Sequence, residues 1–159
     1  MSSPLADILV INGPNLNMIG TREPEIYGHT TFADIEKASR EEAASLGASL
    51  DWMQSNHEGE IVTRIQSAVT HNRALVINAA AYTHTSIALR DALGLFSGPK
   101  IEIHISNIHR RETFRHRSMI IDMCDGTVAG FGAMSYRLGI RAAAHLLSSQ
   151  QPSDYHRNN

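Results

Sequence analysis

Two short aliphatic runs, Ile8-Leu9-Val10-Ile11 and Ala74-Leu75-Val76-Ile77, constrain this chain more than any other feature. Apolar at every position and only four residues long, each reads as a strand buried on both faces, the condition of a parallel sheet. Helical periodicities separate the runs. Thr31 with Asp34 three residues on predicts a capped helix start, and Phe32, Ile35, Ala38 and Leu46 then recur until Gly47. Residues 48–53 form a second strand. Ser55 with Glu58 matches another capping box, ahead of the stripe Ile61, Val62, Ile65, Ala68, Val69. After Asn78 comes a third helix, buried through Ile87, Leu89, Ala92 and Leu93 and broken at Gly98-Pro99. Residues 100–105 and 127–131 supply two more strands. A last helix spans 134–147, with Leu138, Ala142 and Leu146 inward, and residues 148–159 are a polar tail expected to fray.

Strands alternating with helices predict an α/β fold, a flavodoxin-like doubly wound sheet of about five parallel strands. The 159 residues suit one catalytic domain, here 1–147. Ligands of such sheets bind beyond the carboxyl ends of the strands, at the topological switch point. Three polar segments, 12–28, 78–86 and 106–118, each follow the end of a strand and should therefore converge on one cleft.

Composition narrows the partners. A net charge of −2 gives no sign of nucleic acid or of an acidic membrane surface. Cys124 is the single cysteine, so neither a disulfide framework nor a cysteine-based zinc site is expected. The opening MSSPLAD lacks the basic and apolar regions of a secretory signal, and no apolar run approaches the ~20 residues of a membrane span. A cytoplasmic location is the expectation.

Segment 12–28 is too long for an ordinary strand-to-helix connection and too apolar for a linker, with Leu16, Met18, Ile19, Ile26 and Tyr27. It reads as a folded lid carrying one phenol, Tyr27, and one guanidinium, Arg22. The fourth strand breaks the apolar pattern: Ile101, Ile103 and Ile105 alternate with Glu102, His104 and Ser106. Alternation alone favours an edge strand with one wet face. The other reading is a carboxylate orienting an imidazole toward the cleft, the arrangement that readies a histidine to donate a proton. Arg110, Arg111, Arg115 and Arg117 follow; they suit either a solvated basic face or a carboxylate- or phosphate-bearing substrate.

Three stretches, INGPNLNMIGTREPEIYG, NAAAYTHTSIALRDAL and IEIHISNIHRRETFRHRS, in this order and spacing resemble the type II 3-dehydroquinate dehydratases. The resemblance runs from about Ile8 into the last helix. Arg110, Thr113 and Ser135 depart from what relatives often carry, none at a position used for chemistry. It implies a flavodoxin-like subunit assembled as a dodecamer of trimers, acting on 3-dehydroquinate. The implied reaction is an anti elimination of water giving 3-dehydroshikimate through an enolate, with neither metal nor covalent intermediate and no cofactor. By motif, the resemblance makes Tyr27 the base and Arg22 the cation that lowers its pKa. Asn15 helps hold the water that stabilises the enolate. His104 is the acid, oriented by Glu102, and Asn78 positions His104 and the substrate. His84, Ile105, Ser106 and Arg115 bind the substrate's hydroxyls and carboxylate, and Asp91 reaches in from a neighbouring subunit.

The chemistry asks for such residues. Abstraction of a proton next to a ketone needs a base and a way to carry enolate charge. A phenol, with a reference pKa of about 10, becomes a base only beside a cation that cannot lose its charge. A lysine imine route would need a desolvated lysine, whereas Lys37 falls on an exposed helix face and Lys100 at the start of a strand. A metal hydrolase lacks HExxH, and His104, His109 and His116 are not spaced i, i+4. A flavin- or nucleotide-binding module on the same fold is the alternative, but residues 15–18 are bulky where phosphate needs bare backbone.

Overall fold

The computed structural model describes residues 6–21 and 29–149. Five parallel strands, β1 (Ile8–Asn12), β2 (Leu50–Gln54), β3 (Ala74–Asn78), β4 (Lys100–His104) and β5 (Gly126–Ala129), form one sheet in the order β2-β1-β3-β4-β5. This is the flavodoxin-like order, with its switch point between β1 and β3. Both of those strands are buried at every residue, as their aliphatic runs require. Helices α1 (Phe32–Ser45), α2 (Glu58–His71), α3 (Ile87–Leu95) and α4 (Met134–Ser149) cover the two faces. Leu9, Ile11, Leu75 and Ile77 pack with Ile61 and Ile65 of α2 and Leu89 and Leu93 of α3. The alternate residues Ile8, Val10, Val76, Ile101 and Ile103 pack with Ile35 of α1 and Tyr136 and Ile140 of α4.

Side-chain caps set the starts of α1 and α3. The Thr31 hydroxyl accepts from Asp34 N–H at 3.1 Å while the Asp34 carboxylate accepts from Thr31 N–H at 2.9 Å, the capping box expected. At α2 the expected box is absent. Ser55 Oγ accepts instead from His57 N–H at 2.9 Å and donates to Glu60, so the helix begins at Glu58 under His57. Strand β5 ends at Ala129, leaving Phe131 exposed, and α4 continues to Ser149, past the expected stop.

Helix rotation is where the structure departs most from the sequence pattern. In α4 the buried stripe is Tyr136, Gly139, Ile140, Ala143 and Leu147; Leu138, Ala142 and Leu146 sit at its half-buried margin. The cause is close approach: a Cβ on Gly139 would lie 2.6 Å from Ile103 Cγ2, so the helix presses its glycine onto β4 and turns accordingly. In α3, Ile87 is 59% exposed, because it stands two residues (about 200°) from Leu89 on a helical wheel. Leu46 lies beyond the end of α1 and is exposed, as is Val69 on α2.

Candidate active site

The three polar segments converge beyond the carboxyl ends of β1, β3 and β4. They enclose a cavity of about 220 Å³ lined by Asn15 from the first, Asn78 and His84 from the second, and His104, Ile105, Ser106 and Arg115 from the third. A larger, mainly apolar cavity of about 460 Å³ adjoins it, sharing Pro14, Asn15, Leu16, Ile105, Ser106 and Arg111. Asn78, His84, His104 and Arg115 line the smaller one alone. Arg22 and Tyr27 lie outside the described residues.

β4 is an interior strand, paired with β3 on one side and β5 on the other, which removes the edge-strand reading of its alternation. Glu102 and His104 are 1% and 5% exposed, and His104 Nε2 meets Glu102 Oε1 at 2.6 Å. Burying a carboxylate is costly unless its oxygens are hydrogen-bonded. The second oxygen, Oε2, accepts from Ser118 Oγ at 3.0 Å, and Ser118 Oγ in turn accepts from Ile120 N–H at 3.2 Å. With Nε2 held by the carboxylate, Nδ1 of His104 is the nitrogen left for a ligand.

The His84 ring lies nearly parallel to that of His104, with centroids 6.4 Å apart and planes at 18°. Its Nδ1 is 2.8 Å from the Arg117 carbonyl; a carbonyl only accepts, so Nδ1 carries the proton and Nε2 is the acceptor in the neutral ring. Arg115 Nε donates to Glu112 Oε2 at 2.9 Å, leaving its terminal nitrogens for an anionic ligand. Asn15 adopts a left-handed backbone, φ 68°, a conformation asparagine tolerates, and its N–H donates to Asn56 Oδ1 at 3.0 Å.

Asn78 lines the cavity, but its amide is committed elsewhere: Nδ2 donates to Tyr136 Oη at 3.0 Å and Oδ1 accepts from Ala80 N–H at 3.2 Å. No hydrogen bond joins Asn78 to His104 among the described residues. Asp91 is exposed on α3 and does not line the cavity of its own chain. Lys100 Nζ is bonded to the Phe96 carbonyl at 2.5 Å, at the end of β4 opposite His104, and Lys37 is exposed on α1. Burial pushes the Cys124 thiol up to about 12, with the Glu102 charge adding to the shift, so it is an inert thiol. Among the described residues no three His, Cys, Asp or Glu side chains are grouped to hold a metal.

Three residues of the site, Ser118, Tyr136 and Asn12, have no role in the pattern-based reading, which offers Arg111 only as one of four crowded arginines. Arg111 lines both cavities, Ser118 anchors Glu102, and Tyr136 and Asn12 form a buried pair behind Asn78.

A profile of the family described as Dehydroquinase class II matches residues 6–144. The chain is 54% identical over 137 residues to the catabolic 3-dehydroquinase of Emericella nidulans, covering 86% of this chain and 90% of that one. To the 3-dehydroquinate dehydratase of Cereibacter sphaeroides it is 52% identical over 139 residues, covering 87% and 95%. The crystal structure of the type II dehydroquinase from Butyrivibrio crossotus matches with a TM-score of 0.83 at 42% identity, covering 89% of this chain and 99% of that one. The sheet order, the cleft at its switch point and the motifs that line it thus coincide with a match over nearly the whole chain, which belongs to the type II dehydroquinase family.

Proposed function

We propose that this chain dehydrates 3-dehydroquinate to 3-dehydroshikimate by acid–base elimination, with His104 as the acid. The observation that carries the reading is the buried Glu102–His104 pair, 2.6 Å apart, at the carboxyl end of an interior strand and at the cavity where three loops meet. In this mechanism the phenolate of Tyr27 removes the proton next to the ketone, Arg22 having stabilised its charged form. The electron pair moves into the carbonyl as an enolate, whose charge is stabilised by a water that Asn15 helps to hold. Collapse of the enolate forms the ring double bond and expels the C1 hydroxyl as water, with the proton supplied by His104. Glu102 holds the imidazole in the orientation that permits this transfer.

His84, Ile105, Ser106 and Arg115 take the roles of binding the substrate's hydroxyls and carboxylate, their place on the cavity supporting that assignment. Arg111 joins them on the same ground. Asp91, exposed on α3, would complete a site only across subunits, in keeping with a dodecamer of trimers; sedimentation of the active enzyme as a monomer would contradict this. The reaction draws on no cofactor, and a cytoplasmic enzyme suits it.

A pH–rate profile of enone formation tests the base. Tyr27→Phe should lose proton abstraction and leave the melting temperature in place. Arg22→Ala keeps the phenol without its cation, so its residual rate should climb with pH as Tyr27 ionises nearer its reference value of about 10. A Tyr27→Phe enzyme with near-normal kcat would return Tyr27 to packing.

A further inference from the structure

We propose that Tyr136 is a positioning residue for this site, fixing, from the face of the sheet opposite Glu102 and His104, the orientation of Asn78 and the loop starts beside it. Its ring packs with Ile101 and Ile103, the β4 residues that alternate with Glu102 and His104. The hydroxyl donates to Asn12 Oδ1 at 2.7 Å and accepts from Asn78 Nδ2 at 3.0 Å. Asn12 and Asn78 are register partners at the ends of β1 and β3, the two strands of the switch point.

The direction of every bond in this chain follows from one carbonyl. The Met53 carbonyl can only accept, so Asn12 turns Nδ2 toward it, 3.0 Å away, and its Oδ1 toward Tyr136. The hydroxyl must then donate to Asn12 and offer its lone pair to Asn78. This aims Asn78 Oδ1 at Ala80 N–H. Burial pushes the hydroxyl of Tyr136 above the ordinary phenol range, so it stays a neutral donor.

The end of this relay is strained backbone. Ala80 holds φ 51°, a left-handed conformation that a Cβ disfavours and that persists only where its surroundings impose it. Ala80 lines the cavity and opens the 3-10 turn Ala80–His84 that ends in His84. The loop after β1 has no slack either. Gly13 N–H donates to the Asn78 carbonyl at 2.8 Å, and a Cβ on Gly13 would lie 2.3 Å from the Ala79 oxygen. Without the hydroxyl, the buried Asn78 Nδ2 has lost its acceptor, and the bond from Ala80 N–H to Oδ1 alone is left to orient the amide. The walls carrying Asn15 and His84 then lose their common anchor.

The inference rests on the cavity being the reaction site, so His104→Gln is measured beside Tyr136→Phe. Steady-state kinetics with 3-dehydroquinate, well below the melting temperature of every variant, give the result. For Tyr136→Phe, kcat should fall about tenfold or more with KM within about threefold, the mark of lost geometry rather than lost binding. Ile140→Val, one turn along the same buried face, should lower the melting temperature with kcat within about twofold. Adding Tyr136→Phe to Asn78→Ala should cost nothing further, because Tyr136 acts through Asn78. Should Tyr136→Phe not fold, Asn12→Ala, which removes the hydroxyl's acceptor, carries the same expectation. Wild-type kcat in Tyr136→Phe (or in Asn12→Ala in its place), a loss equalled by Ile140→Val, or full additivity with Asn78→Ala would overturn the proposal while an inactive His104→Gln keeps the site. A fully active His104→Gln would overturn both.

Discussion

Glu42 and Glu102 are both carboxylates withdrawn from solvent, and they keep opposite company. Glu42, on α1, faces two guanidiniums of α4: Arg137 Nε donates to Oε2 at 2.8 Å and Arg141 Nε closes on Oε1. Glu102, on β4, faces a titratable imidazole and a serine hydroxyl. Arginine stays charged at any pH where the fold survives, so the Glu42 cluster has one state and ties α1 to α4. The Glu102 cluster instead sets the carboxylate against an imidazole, and that imidazole opens on a cavity. The partner of a buried acid, more than its burial, separates structure from chemistry here.

The largest expected split comes from removing each charge in turn. Glu102→Gln retains an acceptor for His104 but loses the charge that supports the imidazolium, so kcat should fall about 10–10²-fold, part of the 10²–10⁴ that a general acid contributes. Its melting temperature should hold or rise, since a desolvated carboxylate is gone and His104 can stay neutral. A fall of several degrees with intact kcat would make Glu102 a structural acid like Glu42.

Ser118→Ala sharpens the same contrast. It deprives Glu102 Oε2 of its hydroxyl donor, a hydrogen bond to a charged group whose removal costs about 1.5–3 kcal/mol. Part of this should appear as lower kcat and part as a lower unfolding midpoint, and Ser118→Thr should recover both in part. Unchanged kinetics in Ser118→Ala would confine Ser118 to capping Ile120 N–H.

How much of this was legible in the sequence depends on the range of the interaction. The aliphatic runs of β1 and β3 and the capping box at Thr31 are local patterns with their expected counterparts in the fold. The alternation of β4 taken alone favours an edge strand, and only its pairing with β3 and β5 decides otherwise. The gathering of Asn15, His84 and His104 has its expected counterpart too, because strand ends in a parallel sheet must share an edge. Residues that act across the fold left no such trace. Tyr136 meets Asn12 from 124 residues away, and Ser118 meets Glu102 from 16. The rotation of α4 escapes the sequence pattern for the same reason: the contact that sets it, Gly139 against Ile103, is tertiary. Glu42 was invisible as a buried acid because its two cations arrive from the last helix.

The smallest effect is reserved for Glu42. Glu42→Gln should leave kcat within about twofold and lower stability by about 1–2 kcal/mol at neutral pH, a hydrogen-bonded ion pair discounted because the two arginines are 43% and 58% exposed. The guanidinium of Arg137, then that of Arg141, holds the Glu42 carboxyl below the ordinary glutamate range. A depressed acid stabilises the fold fully above its unfolded value, about 4.3, and the contribution is lost as pH falls through the lower folded value. The difference in melting temperature between wild type and Glu42→Gln should therefore be full at pH 7 and shrink below about pH 4. A difference that is constant with pH would remove the ion pair as its cause.

The most direct test of acid catalysis by His104 is kcat for 3-dehydroquinate dehydration by His104→Gln, measured with its unfolding midpoint. A loss of about 10²–10⁴-fold is expected, with the midpoint close to that of wild type because the amide can still hydrogen-bond Glu102. A His104→Gln enzyme that turns over within a few-fold of wild type would contradict it, and would leave the buried pair on β4 as packing.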